Sequence, residues 1–151
     1  MVTLMTLACA GRTDLQQATV PIVPILRTEC PPGLCVCERE ILLADPEADL
    51  RPLRLTRMEE ERLLDRIDRV SSYEELTALQ ARIRANLGVE LKIVPGPNEV
   101  RTLRGILIVL EDRPGLCKKV RQSVPAALRR VLDRHPEITW AILDAHDLFG
   151  R

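Results

Sequence analysis

The sequence predicts a single α+β domain, in which a small, mainly antiparallel sheet carries an αα-hairpin and a C-terminal helix packed on one face. Two helix-start signals precede apolar stripes between residues 56 and 87, and two runs of strand type lie between residues 89 and 110. A chain of 151 residues has the usual size of one domain. We expect residues 1–29 to form a flexible N-terminal arm, because they show little periodicity, and residues 30–151 to form the domain.

Two capping boxes mark the starts of the paired helices. Thr56 with Glu59 opens the first helix and Ser72 with Glu75 opens the second. Gly88 is a natural stop for the second helix, and the short link between the helices predicts an antiparallel hairpin. Leu63, Ile67, Leu79 and Ile83 of the two apolar stripes are expected to be buried in contact with residues 105–110.

Two strands are predicted after the hairpin. Residues 89–94 alternate between apolar and polar, which is typical of a half-buried strand. Residues 105–110 are almost continuously apolar, which favours a strand that is buried on both faces. The proline- and glycine-rich residues 95–98 predict a turn, so we expect the two strands to pair antiparallel.

The C-terminal part holds one clear helix and one ambiguous segment. Residues 118–135 have a helical pattern, with Pro125 near its start or interrupting it, and Ser123 is the candidate N-cap of the better part. Residues 138–143 suit either a third strand or a last helix, and their β-branched and aromatic content favours the strand. The predicted order is therefore α-α-β-β-α-β.

Charge and composition exclude some classes of protein. The net charge is zero, which gives the whole chain no general attraction to nucleic acid or membrane. Residues 38–75 nevertheless carry twelve acids and seven bases, whereas residues 100–135 carry nine bases and three acids. No run of about 18 apolar residues exists, so we expect no transmembrane helix and no membrane partner. Five cysteines, an odd number without a secretory signal, predict reduced thiols and a cytoplasmic protein.

Four cysteines form the sharpest candidate site. Cys30, Cys35 and Cys37 make a C-x4-C-x-C cluster, and Cys117 lies far along the chain. The sequence Pro-Gly-Leu-Cys occurs twice, ending at Cys35 and at Cys117. A Pro-Gly turn exposes backbone N–H groups that favour a thiolate. We expect the two turns to meet and the four thiolates to hold zinc or an iron–sulfur cluster. Redox or disulfide chemistry and an inert buried thiol are the alternatives.

The two histidines carry a further set of alternatives. Either His135 or His146 could replace Cys30, the least secure of the four ligands. On an extended segment Asp144 and His146 would lie on one face, where they could ligate a metal or act as an acid–base pair. An enzyme, if the protein is one, would be centred on these two residues.

A second candidate site is a basic face on the predicted C-terminal helix and the neighbouring strand. Lysine and arginine side chains on such a face could bind nucleic-acid phosphates. Aromatic residues make up only 2% of the chain, which argues against base stacking. The alternative is a solvated face that pairs with the acidic hairpin. The candidate residues are Arg101, Arg104, Lys118, Lys119, Arg121, Arg129 and Arg130.

Residues 106–116, Ile-Leu-Ile-Val-Leu-Glu-Asp-Arg-Pro-Gly-Leu, resemble the opening strand–turn–helix of ACT-type regulatory domains. We interpret this as a shared turn, because a ferredoxin-like unit needs more strands than the residues after the helix can supply. The sequence as a whole predicts a small bacterial-type accessory or regulatory protein. It is expected to act by binding a protein partner or by self-association, with nucleic-acid binding as the first alternative and catalysis as the second.

Overall fold

The computed structural model describes residues 24–30, 35, 37–97 and 105–147, and these form helices on one face of a two-stranded antiparallel sheet. The α+β prediction is confirmed. None of the helices in these ranges is both long and apolar enough to cross a membrane. The elements are α1 Arg39–Ala44, a 3₁₀ helix Arg51–Arg54, α2 Arg57–Asp68, α3 Tyr73–Leu87, β1 Leu91–Pro95, β2 Ile106–Leu110, α4 Lys118–Arg134 and α5 Pro136–Ala145.

The starts of α2 and α3 follow from their capping residues. The Thr56 hydroxyl accepts a hydrogen bond from the backbone N–H of Glu59 at 3.4 Å, and the Ser72 hydroxyl accepts one from Glu75 at 3.2 Å. Gly88 ends α3 in the left-handed conformation, with φ at 66°. Both predicted N-caps and the predicted stop are confirmed, because each satisfies backbone groups that a helix end leaves unpaired.

Helix α4 lies at the centre of the core, where it packs against α2 and β2. The two helices run in the same direction, since Lys119 near the start of α4 pairs with Glu60 near the start of α2 at 3.5 Å. At the other ends of the helices, Arg134 pairs with Asp68 at 3.4 Å. The buried side of α4 excludes water completely at Val124, Ala127, Leu128 and Val131.

The predicted helix at residues 118–135 is confirmed, but its N-cap is not the candidate Ser123. The helix begins at Lys118 with Cys117 as its N-cap residue, not at Ser123, and Pro125 lies inside it without ending it. A proline in a helix interior costs about 3 kcal/mol, because it removes a backbone donor and crowds the preceding turn. Burial of Val124 and Leu128 on either side of the proline offsets this cost.

The sheet has one covered face. Ile106, Ile108 and Leu110 of β2 are buried, but Leu107 is 46% exposed and Val109 is 42% exposed. The prediction that this strand is buried on both faces is therefore wrong. In the described residues the sheet consists of β1 and β2 alone, with α4 and α5 packed against it, so alternate side chains of the apolar run face outward.

The preference for a strand at residues 138–143 is also wrong, because these residues lie in α5. Pro136 occupies the first position of this helix, where its fixed φ and missing N–H are tolerated. Ile138 and Ile142, four residues apart, are buried, whereas Trp140 between them is 57% exposed. A strand would have placed all three side chains on one face. Packing at helical spacing has overridden the β-propensity of the segment.

The N-terminal segment enters the domain before residue 30. The backbone N–H of Arg27 donates to the carbonyl of Leu53 at 2.7 Å, and the Arg27 side chain is buried. Most of the predicted arm, residues 1–29, lies outside the described residues. The domain boundary at residue 30 stays a prediction.

Candidate metal centre

The four sulfur atoms of Cys30, Cys35, Cys37 and Cys117 all lie within 4.8 Å of one another. The Sγ atoms of Cys30 and Cys37 lie 3.5 Å apart. Cys37 and Cys117 are buried, and the other two are half-buried. The predicted convergence of the cysteine cluster with Cys117 is confirmed, and the arrangement could hold a metal ion.

The turn before Cys117 anchors the cluster to the core. The backbone N–H of Gly115 donates to the carbonyl of Cys37 at 2.5 Å, which joins the two halves of the site. Gly115 has φ at 87°, and a Cβ atom there would lie 2.6 Å from the side chain of Leu42. Only glycine fits this turn, because other residues avoid the left-handed conformation and the space is already filled. The turn therefore places Cys117 at the N-cap position of α4, close to the other three cysteines.

The second Pro-Gly turn does not offer the N–H groups that we predicted for the sulfurs. The N–H of Gly115 goes to the Cys37 carbonyl, and the N–H of Leu116 goes to the carbonyl of Arg113 at 3.1 Å. The first Pro-Gly turn, within residues 31–34, lies outside the described residues. The repeated Pro-Gly-Leu-Cys sequence thus identifies two cysteines that belong to the cluster. Its second copy joins the backbone at Gly115 to the backbone at Cys37 and does not supply donors to the sulfurs.

Two arginine side chains supply donors to the sulfurs instead. Arg27 is 8% exposed and its Nη2 atom donates to Cys37 Sγ at 3.6 Å and to the Gly115 carbonyl at 2.5 Å. Arg39 donates from Nη1 to Cys30 Sγ at 3.6 Å. Among the described residues no carboxylate forms an ion pair with Arg27, and its Nε atom is buried without a partner. Sequence reasoning missed both arginines, whose only signal was their nearness to Cys30 and Cys37.

The surroundings divide the thiols by acidity. Burial alone would raise the pKa of Cys37, but hydrogen bonds from Cys30, the backbone N–H of Arg39 and Cys35, together with the charge of Arg27, bring its pKa below the ordinary value. Burial, followed by hydrogen bonding to Cys37, raises the pKa of Cys30. Burial, with a hydrogen bond to Cys35, raises the pKa of Cys117 to about 12. Of these three thiols, Cys37 is therefore the one whose surroundings lower the pKa and favour the thiolate.

The histidines take no part in this cluster. The Nδ1 atom of His146 lies 2.9 Å from the carbonyl of Ile142, and His135 Nδ1 lies 3.0 Å from Glu137. Asp144 and His146 stand at the end of a helix, where residues two apart do not face each other. The prediction that they share one face depended on an extended segment and is wrong.

The basic face divides into three parts. Lys119 pairs with Glu60, and Arg121 pairs with Asp112 at 2.5 Å, so these two bases act within the domain. Lys118, Arg129 and Arg130 are exposed on α4 and have no ion pair among the described residues. The remaining candidates, Arg101 and Arg104, lie outside the described residues. The expected pairing of basic α4 with the acidic α2 is present at Lys119 and at Arg134.

Comparison of the chain with protein-family models, with curated proteins and with solved structures found no significant match. The strand–turn–helix that resembles the ACT-type opening is present as β2, the turn at Pro114–Gly115 and α4. With no family match, the resemblance stays a shared turn. The function must therefore be inferred from the residues of this chain alone.

Proposed function

We propose that the four cysteines bind one zinc ion in a structural site. The observation that carries this proposal is the mutual approach of the four sulfurs to within 4.8 Å. A zinc ion with four thiolates at about 2.3 Å has sulfur–sulfur distances of roughly 3.7 Å. Closing the site around zinc then needs only a small inward movement of the more distant sulfurs. The half-buried Cys30 and Cys35 lie outside the regular elements and are the ligands best able to move.

The same distances favour a single metal ion over an iron–sulfur cluster. In clusters of two or four irons the cysteine sulfurs bind separate irons, which holds some of them more than about 6 Å apart. Four sulfurs that are all mutual neighbours match a mononuclear tetrahedral ion.

The charges around the sulfurs support a divalent ion. A zinc ion with four thiolates carries two net negative charges, and the guanidinium groups of Arg27 and Arg39 each donate to one of the sulfurs. A buried guanidinium needs a nearby anion, because an unpaired charge in the interior is costly. Thiolates bound to zinc supply that anion for Arg27 and leave the site close to neutral.

Four protein ligands leave no open position for a substrate or an activated water, so the proposed zinc is structural. It would join the segment that contains Cys30 and Cys37 to the start of α4 through Cys117. Binding rather than catalysis is accordingly our proposal for the protein as a whole. Nucleic-acid binding by Lys118, Arg129 and Arg130 stays the alternative, supported only by their exposure.

The test is the metal content of full-length protein purified without added metal. We expect about one zinc per chain by elemental analysis, and release of that zinc by a chelator together with a lower melting temperature. Cobalt added after removal of zinc should give the absorption bands of a tetrahedral thiolate site. A chain that is fully folded with no metal, or that binds iron with acid-labile sulfide, contradicts the proposal.

Matched cysteine variants identify the ligands. Cys117→Ser and Cys35→Ser should both lose the zinc, and Cys35 is the safer test of folding because its side chain is only half-buried. Cys9→Ser is the control, since it leaves the four clustered cysteines unchanged. Equal zinc content in all three variants would show that the metal is bound elsewhere.

A further inference from the structure

A groove of about 980 Å³ is lined by residues of α2 and α3 and by the residues that precede α2. Its floor is apolar: Leu79, Ile83 and Leu87 of α3 line it, together with Leu63 of α2. Leu63 was predicted to be buried like Ile67, but it is only half-buried, because it faces this groove. At the mouth, Met58 is 64% exposed and Ile25 is 82% exposed.

The rim of the groove is rich in arginine. Five arginines and one glutamate, Glu59, contribute to the lining. Glu59 pairs with Arg62 at 2.6 Å, and Arg57 pairs with Glu61 at 3.4 Å. The other three arginines have no carboxylate partner among the described residues, and these are Arg54, Arg66 and Arg82.

The positive rim is notable because the segment that forms α2 is acidic overall. On α2, Arg62 and Arg66 line the groove four residues apart beside Leu63, and on α3 Arg82 stands beside Ile83. Each wall therefore presents an apolar residue next to an arginine. Such a pattern is complementary to a ligand that is itself apolar on one face and acidic along its edges.

We propose that this groove binds an amphipathic helix of a protein partner, with an apolar stripe flanked by Asp and Glu. Helix α2 has 12 residues and is about 18 Å long, so the groove accommodates roughly three turns of a partner helix. Leucines at positions i, i+3, i+4 and i+7 of the partner would enter the groove, and its carboxylates would pair with Arg54, Arg66 and Arg82. Arginine and methionine are both enriched at protein interfaces. A nucleic acid fits less well, because its phosphate backbone offers no apolar stripe.

This inference is independent of the zinc site, which uses none of the residues that line the groove. The probe is a fluorescein-labelled peptide of about sixteen residues, with leucines at the spacing given above and glutamates on the flanks. Binding to full-length protein is measured by fluorescence anisotropy. We expect saturable binding, and binding at least about tenfold weaker for the same peptide with lysine in place of glutamate.

Substitutions in the chain locate the binding surface. The double substitution Arg66→Glu and Arg82→Glu, and separately Met58→Asp, should each weaken binding by about tenfold or more. All three side chains are exposed, so folding should be retained. Arg129→Glu is the control, because Arg129 is exposed on α4 and does not line the groove.

Four outcomes would overturn the proposal. These are the absence of peptide binding at concentrations up to roughly 1 mM, equal binding of the lysine peptide, an equal loss with Arg129→Glu, and self-association that Met58→Asp abolishes. The last outcome would assign the groove to a second copy of the chain. Occupation of the groove by residues 1–23 would appear as the first of these outcomes, because it would prevent the peptide from binding.

Discussion

The region around Cys37 and the region around Leu128 differ in secondary structure. The described backbone between Pro24 and Glu38, near Cys37, forms no helix or strand, whereas Leu128 lies in the middle of the 17-residue helix α4. Both side chains are buried, but for different reasons. Leu128 is fully buried by α4 and its neighbours, and its position follows from apolar packing. Cys37 is held by a backbone hydrogen bond to Gly115 and by contacts with Cys30 and Arg27. The comparison shows one region that burial stabilises and one region that needs the chemistry of sulfur and charge.

The largest effect should come from the region that burial stabilises. Leu128→Ala removes a side chain with no exposed surface, and it should lower the free energy of unfolding by about 2–5 kcal/mol in urea. The zinc content of the folded variant should not change, because Leu128 does not contact the sulfurs through any hydrogen bond or charge. Leu107→Ala is the control on the open face of the sheet, where 46% exposure keeps the expected loss below about 1 kcal/mol. Equal losses in the two variants would mean that the exposed sheet face is covered in solution.

The second prediction addresses the region that depends on charge. Arg27→Met keeps the apolar stem of the side chain but removes the guanidinium that donates to Cys37 Sγ. Zinc affinity should fall by about 10–100-fold, as is usual when a partner of a metal ligand is removed. The measurement is competition with a chromophoric chelator, with Arg54→Met as the control at an arginine that does not contact sulfur. The metal-free form of Arg27→Met should be no less stable than the metal-free wild type, since a buried charge without an anion has been removed. An unchanged zinc affinity would mean that Arg27 only fills space.

Residues with local signals were predicted correctly from the sequence, and residues placed by tertiary contacts were not. The caps at Thr56 and Ser72 and the stop at Gly88 depend on neighbouring backbone groups, so their signals are local. The cysteine site was visible because one short sequence occurs twice and thiols are scarce. The donors Arg27 and Arg39 were not visible, because arginine is common and only the folded chain brings these two to the sulfurs.

Two of the wrong predictions of secondary structure and burial have a related cause. Composition suggested a strand at residues 138–143, but Pro136 and the four-residue spacing of Ile138 and Ile142 fit a helix against the core. A continuous apolar run suggested burial of β2 on both faces, yet no helix of the described residues covers Leu107 and Val109. In both segments the outcome was decided by what packs against them, which composition alone does not show.

The smallest expected effect lies at the boundary between the two regions, where Asp49 connects them. Its carboxylate pairs with Arg51 at 2.7 Å and with Arg113, next to the turn that leads to Cys117, at 3.7 Å. The hydrogen bond from the Arg51 side chain, opposed in part by burial, lowers the pKa of Asp49 to about 2. The pKa of Asp49 is thus lower in the folded chain than in the unfolded chain, where it is near 3.8. The ionised carboxylate therefore stabilises the fold at pH values above 3.8, and this contribution is lost as the pH falls towards 2.

Because the Asp49 side chain is 36% exposed, solvent and salt limit this contribution to less than about 1 kcal/mol. The test compares urea unfolding of wild type and Asp49→Asn at pH 7 and at pH 3, in low and high salt. The difference between the two proteins should be present at pH 7, shrink at pH 3 and shrink again in high salt. Asp65→Asn on α2, an exposed carboxylate without an ion pair in the described residues, serves as the control. If Asp49→Asn behaves like that control at every pH, the link between the helical core and the cysteine turn depends on the backbone bond from Gly115 to Cys37 and not on charge.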